Sequence, residues 1–158
     1  MKQTTLCFLV NGKQVLLGMK KRGFGEGKFN GFGGKPKENE SLKDAALREL
    51  LEEACVKGSK EHLEKVGALS FFFSQKPEWN QQVHVFVLKE WEGNPEETEE
   101  MAPAWFHHEK IPFDKMWQDD QHWLPRILNG KKLEAEFTFG GDNESIIKHQ
   151  ISEVGQLN

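Results

Sequence analysis

The sequence predicts an α/β protein of the α+β kind, an α/β/α sandwich in which a mixed β-sheet lies between helices. Strand-rich runs outnumber helical ones, hairpin turns join several of them, and only two stretches carry a helical period. That pattern differs from the regular strand–helix alternation of a doubly wound sheet. A chain of 158 residues has room for about one core, so residues 1–158 are read as a single domain.

Residues 4–10 and 13–19 flank Asn11-Gly12, a dipeptide suited to the two positive φ angles of a type I′ turn, and predict a hairpin. Gly23, Gly25, Gly27, Gly31, Gly33 and Gly34, six of the fifteen glycines, follow as an irregular loop that a ligand can approach without Cβ obstruction. A helix is predicted over 41–54, opened by Ser41 with Asp44 three residues on. Leu47, Leu50, Leu51 and Ala54 fall on one side of it, and Glu49, Glu52 and Glu53 on the other. Residues 66–74 and 82–91 read as strands joined by Pro77-Glu78-Trp79-Asn80, and 103–107 as a shorter strand. Residues 119–128 read as a second helix. Residues 133–139 and 145–151 form a hairpin about Gly140-Gly141-Asp142-Asn143, and 155–158 are expected to fray.

Composition removes several classes of function. The longest apolar run is Leu6 to Val10, against the roughly 20 residues a membrane span needs, and no basic leader precedes it, so neither insertion nor secretion is expected. Cys7 and Cys55 are far apart in sequence, which points to inert thiols in a reducing cytosol. None of the six histidines has a metal-ligand spacing with an acid or cysteine. The net charge of −4 argues against a protein that coats nucleic acid. Charge is nevertheless uneven: six basic residues face one acid between Lys20 and Lys37, while Glu90 to Glu100 holds six acids and no base. The first segment suits a small polyanion, because local fields dominate within about 8–10 Å.

Glu49 and Glu53 stand four apart on one helix, a like-charge pair costing about 0.2–0.5 kcal/mol unless a cation intervenes. A solvated amphipathic face is the bland alternative. Clustered carboxylates select hard ions such as Mg²⁺ or Mn²⁺, and beside a basic glycine-rich loop they call for a phosphorylated ligand. Carboxylates, metal and phosphate together are the parts of a phosphoanhydride hydrolase.

Gly34, Glu40 six positions on, and then Arg48-Glu49-Leu50-Leu51-Glu52-Glu53 resemble the Nudix box, G-x5-E-x7-R-E-U-x-E-E-x-G-U, placed here at 34–55. Cys55 stands where the box has a glycine that ends the helix in a left-handed turn, and Val56 supplies the following aliphatic. The resemblance extends over about residues 4–151 to the animal MutT homologues, hydrolases of oxidised purine nucleoside triphosphates. It is carried by the segments 16–25, 30–35, 83–86, 111–113, Met116-Trp117 and Asp119-Asp120, with departures at Phe29, Gln118 and Cys55.

The resemblance implies a metal site of Glu49, Glu52, Glu53, Glu100 and the Gly33 carbonyl, with Glu52 or Glu53 helping to activate the attacking water. Arg48 and Glu40 would hold those carboxylates in place, and Lys20 and Lys35 would face the phosphates. Thr5, Phe24, Asn30, Phe32, Gly33, Gly34, Phe71, Trp117, Gln118, Asp119, Asp120 and Trp123 would complete the substrate site. Read without the resemblance, Glu100 is a solvated loop residue, Asp119 a helix cap and the aromatic residues core. Two adjacent acids in a partly buried pocket do not both ionise, so Asp119 and Asp120 would share a proton.

The implied activity is Mg²⁺-dependent conversion of 8-oxo-dGTP, 2-oxo-dATP or alkylated purine nucleotides to the monophosphate and pyrophosphate, which cleanses the nucleotide pool. A cytoplasmic monomer is expected, with the mitochondrial matrix and nucleus as further compartments, and with no nucleic-acid or membrane partner. Two other readings stand beside it. Hydrolases of dinucleoside polyphosphates or ADP-ribose carry a tyrosine or proline some sixteen residues after the box, where this chain has Phe71 and no tyrosine anywhere. A silent nucleotide-binding module would have lost one of the three glutamates, and all three remain.

Overall fold

The computed structural model describes residues 1–157. Eight strands and two helices follow in the order β1 (Lys2–Asn11), β2 (Gln14–Lys20), β3 (Phe29–Asn30), α1 (Leu42–Ala54), β4 (Leu63–Phe73), β5 (Gln81–Leu88), β6 (Met101–His107), α2 (Asp120–Leu128), β7 (Lys132–Phe139) and β8 (Ile146–Val154). Short 3-10 turns lie at Lys60–His62, Pro77–Trp79 and Phe113–Lys115. The strands join in the order β3-β2-β1-β5-β4-β7-β8, with β6 on β2. β1 runs parallel to β5 and β4 to β7, while the other pairings are antiparallel, so the predicted mixed sheet is the one observed. Among the described residues no helix is long and apolar enough to cross a membrane.

The first hairpin opens almost at once, which was not expected. β1 and β2 pair only at Val10↔Val15 and Asn11↔Gln14. Gly12 and Lys13 therefore make the turn, and only Gly12 has a positive φ, of 59°, so type I′ geometry does not form. β1 continues along β5 from Leu9↔Leu88 to Lys2↔Gln81, while β2 swings away along β6. The amides of β1 left free by this divergence are taken up by the glycine loop: Cys7 and Phe32 exchange backbone bonds of 2.6 and 2.9 Å, and Thr5 N–H donates to the Gly34 carbonyl at 2.9 Å. Residues 32–34 are thus strapped across the opening, and short β3 precedes them. Neither feature was visible in a glycine-rich stretch lacking period-two alternation.

Alternate residues of β1 feed two cores. Phe8 and Val10 pack with Trp123, Leu124 and Phe137 on the α2 side, and Cys7 and Leu9 pack with Leu50, Ala54 and Phe86 on the α1 side. α1 begins at Ser41, whose side chain accepts from Asp44 N–H at 3.1 Å. Its buried stripe is Ala46, Leu50 and Ala54, spaced by four. Leu51, assigned from sequence to the apolar side, is 51% exposed, and Glu53, assigned to the solvated side, is 4% exposed. The stripe keeps Leu50 but runs on through Ala46 and Ala54 rather than through Leu51, whose side chain faces solvent. The terminal stretch expected to fray reaches Asn158, which lies outside the described residues.

Cys55 caps α1 at φ 60°, ψ 27°, and its amide donates to the Leu51 carbonyl at 3.0 Å. A Cβ in this left-handed region costs about 1–2 kcal/mol, partly offset by the backbone freedom a glycine loses on folding. Cys55→Gly is expected to stabilise the fold by about 0.5–1 kcal/mol, read as a Tm higher by a few degrees. An unchanged or lower Tm would mean that the thiol itself contributes.

Candidate active site

The strap and α1 meet at the glycines. A Cβ at Gly33 would run into the Thr5 carbonyl, and one at Gly34 would stand 2.6 Å from Glu49 Oε1. Gly33 N–H donates to Glu53 Oε1 at 2.9 Å, and Thr5 Oγ1 donates to the Gly34 carbonyl at 3.2 Å. Gly33→Ala is expected to destabilise by about 3 kcal/mol, since the obstacle is backbone and cannot rotate aside. Chemical denaturation measures this, and a loss below about 1 kcal/mol would show that the strap is free to shift.

Arg48 organises the carboxylates around it. Its guanidinium holds Glu40 with two bonds of 2.8 and 2.9 Å, reaches Glu49 Oε1 at 2.9 Å and Glu52 Oε1 at 3.4 Å, and donates to the Lys35 carbonyl at 3.1 Å. Arg48 and the Lys37 amide hold the Glu40 carboxyl down to about 2. Burial pushes Glu49 up against the pull of Arg48, with the charges of Glu52 and Glu100 adding to the rise. Glu53 is pushed up to about 7, first by burial and then by the charges of Glu49 and Glu100, while Gly33 N–H and Lys20 oppose the shift. Glu100 lies with its Oε1 3.7 Å from Arg22 Nη2.

This is an oxygen-only donor set. Among the described residues no three of the His, Cys, Asp and Glu side chains gather into a closed cation shell, since Arg48 draws on Glu49 and Glu52 while Glu53 turns to Gly33. The mutual repulsion of Glu49, Glu53 and Glu100 is nonetheless what a hard divalent ion would relieve, so the residues fit such an ion in charge and chemistry.

Beside these carboxylates lies a cavity of about 410 Å³. Of the residues named from the sequence for the substrate, Thr5, Lys20, Phe24, Asn30, Gly33, Gly34, Lys35, Phe71, Trp117, Asp119, Asp120 and Trp123 line it, together with Glu53. Two expected residues do not. Phe32 is fully buried in the α1-side core, because its backbone pairs with Cys7 and turns the ring inward. Gln118 borders a neighbouring cleft on the far side of the wall formed by Trp117 and Lys28. Leu69, Phe73 and Phe139 line the cavity unforeseen, although the first two stand two residues from Phe71 on β4, a spacing that alternation alone could have used. Among the described residues no histidine lines it. His84 is held in the sheet, Nε2 2.6 Å from Gln3 Oε1, and pushed down to about 4 by burial and by Lys65.

Asp119 does not cap α2 through its side chain. Its Oδ2 accepts from Trp123 Nε1 at 2.8 Å, while Asp120 Oδ2 accepts from Trp117 N–H at 3.1 Å. Asp119 and Asp120 are 5% and 2% exposed. Burial pushes Asp119 up to about 6, and burial with the neighbouring Asp119 charge raises Asp120 well above the usual carboxylate range. At the mouth, Phe24 lies stacked on Trp117 at 5.2 Å between ring centroids and edge-on to Trp79 at 5.5 Å.

A glycine strap, a carboxylate-bearing helix held by one arginine and a polar-ended cavity at their junction make up the site. The family model described as the NUDIX domain matches residues 2–127. The chain belongs to the Nudix family. Nudix hydrolases generally use divalent metal ions, in keeping with the oxygen donors of α1. The chain is 46% identical to the mouse (Mus musculus) oxidized purine nucleoside triphosphate hydrolase over 150 residues, covering 95% of this chain and 94% of the mouse protein. It is 45% identical to the Danio rerio protein of the same name over 156 residues, covering 99% and 97%. The crystal structure of a MutT protein from Bacillus halodurans shares the fold at a TM-score of 0.80 and 24% identity, over 96% of this chain and 97% of that one. Within this Nudix member the box spans the strap and α1, and Cys55 meets the left-handed turn that the family's glycine serves.

Proposed function

We propose that this Nudix protein hydrolyses oxidised purine nucleoside triphosphates, 8-oxo-dGTP and 2-oxo-dATP among them, to the monophosphate and pyrophosphate, and so removes them from the nucleotide pool. The observation that carries the reading is a pair of adjacent buried acids in the same cavity as the glycine strap and Glu53. Burial raises both carboxyls above the usual carboxylate range, and the Asp119 charge raises Asp120 further, so the pair favours holding a proton that lets it both donate to and accept from a purine edge. An oxidised purine differs from its parent in its edge hydrogen-bonding groups, which is the difference this pair can read. Trp117 offers a stacking plane worth about 1–3 kcal/mol per base, and Asn30 stands in the same wall.

Lys20 and Lys35 line the cavity near Gly33 and Gly34 and attract the polyphosphate. Mg²⁺, with Mn²⁺ as substitute, would be held by Glu49, Glu52, Glu53, Glu100 and the Gly33 carbonyl, and would neutralise phosphate charge and acidify water. Glu53 or Glu52 takes the proton of the attacking water, and Arg48 with Glu40 keeps the neighbouring carboxylates in place. We take residues 1–158 as one domain acting as a monomer on a free nucleotide in the cytoplasm, with the mitochondrial matrix and nucleus as further compartments.

A panel of oxidised and ordinary triphosphates with Mg²⁺ tests the reading. The oxidised purines are expected to be turned over with kcat/KM at least tenfold above their parents. Equal turnover of both sets would refute the cleansing role.

A further inference from the structure

Lys28 has no part in the reaction described so far, yet its placement is specific. Its backbone is fixed at both ends of the glycine turn: Lys28 N–H donates to the Gly25 carbonyl, and Lys20 N–H donates to the Lys28 carbonyl, each at 3.0 Å. The ammonium lies 4.9 Å from the centre of the Trp117 ring, within cation–π reach. The side chain borders both the nucleotide cavity and the neighbouring cleft, with Trp117 as their other shared wall residue.

We infer that Lys28 is a specificity-determining positioning residue, whose ammonium holds the plane of Trp117, the residue whose backbone N–H donates to Asp120 Oδ2 at 3.1 Å. The inference rests on the proposed recognition of oxidised purines by Asp119 and Asp120. The charged groups around Lys28 decide where its field acts. Asp114 and Glu144 border the neighbouring cleft, but both are exposed, so water and salt screen them. Lys20, Lys35 and Glu53 share the nucleotide cavity with it. Asp120 is 2% exposed; burial and the Asp119 charge raise its carboxyl, and Trp117 N–H and, least of all, the Lys28 charge oppose that rise. The contact of the ammonium with Trp117 therefore reaches Asp120 through the Trp117 backbone N–H, and Asp119, held by Trp123 Nε1, is not on that path. A shift of the Trp117 plane moves both the stacking surface and the Asp120 carboxyl that Trp117 N–H holds, and oxidised guanine and oxidised adenine present different edges to that carboxyl.

The test compares kcat/KM for 8-oxo-dGTP and 2-oxo-dATP in the wild type, Lys28→Met and Lys28→Arg, with KM and kcat separated. Lys28→Met is expected to change the ratio of the two substrates about five- to tenfold, chiefly through KM, and Lys28→Arg to restore it to within about twofold. A ratio unchanged in Lys28→Met overturns the inference, as does a ratio changed equally in both variants. Lys28→Gln serves in place of Lys28→Met if the latter fails to fold. A wild type that does not distinguish oxidised from ordinary purines defeats the functional reading itself, which separates the two failures.

Discussion

Glu53→Gln is expected to lower kcat by roughly three orders of magnitude while leaving nucleotide binding within a few fold. The substitution is nearly isosteric, and the glutamine Oε1 can still accept from Gly33 N–H, which now lies 2.9 Å from the glutamate. The strap and the fold should therefore survive, and a matching Tm checks this. What disappears is an anionic oxygen at the junction of the cavity with α1. Charge repulsion in the cluster falls at the same time, so a merely structural glutamate would yield a more stable, fully active protein. Single-turnover kinetics together with equilibrium nucleotide binding distinguish these outcomes, and retained kcat would remove Glu53 from the chemistry.

Asp119→Asn and Asp120→Asn are expected to reduce kcat/KM for the better substrate by about 10–100-fold and to alter the ranking of 8-oxo-dGTP against 2-oxo-dATP. An amide supplies a fixed donor and acceptor where the carboxyl pair can exchange them. Stability should move the other way at high pH. Asp119 has its carboxyl raised from 3.8 to about 6 in the folded chain, so its favourable contribution is fully present below 3.8 and is lost as pH rises through about 6. Asp120 is raised further by burial and by Asp119, so its contribution persists to higher pH before it too is lost. Asn at 120 has no charge to bury and keeps an oxygen to accept from Trp117 N–H. Asp120→Asn is thus expected to match the wild type near pH 4 and to exceed it by about 1–3 kcal/mol at pH 8. Thermal melts across that range check the sign. A parallel pair of curves would show that Asp120 ionises as readily in the folded chain as in the unfolded one.

Much of this site can be read along the chain because its parts are local. Ser41 and Asp44 mark the start of α1, and the spacing of Glu40, Arg48, Glu49 and Glu52 already places one guanidinium among several carboxylates. The burial of Glu53 could not be read this way, because it depends on Gly33, brought in by a strap that crosses the gap between β1 and β2. Phe32 and Phe24 looked alike in one glycine-rich loop, yet pairing with Cys7 sends Phe32 into the core and leaves Phe24 65% exposed on Trp117. Alternation would have nominated Phe73 but not Phe139, which reaches the cavity wall through the parallel pairing of β7 with β4. Lys28 carried no signal beyond its charge, since its meaning lies in a Trp117 almost ninety residues away.

Titration of Mn²⁺ into the protein at neutral pH, with a non-hydrolysable triphosphate present and monitored by calorimetry, tests the central claim most directly. The wild type is expected to take up the ion with uptake weakened at least tenfold in Glu49→Gln, Glu52→Gln and Glu53→Gln alike. No uptake by the wild type, or equal uptake by all four proteins, would contradict a hydrolase built on these three glutamates.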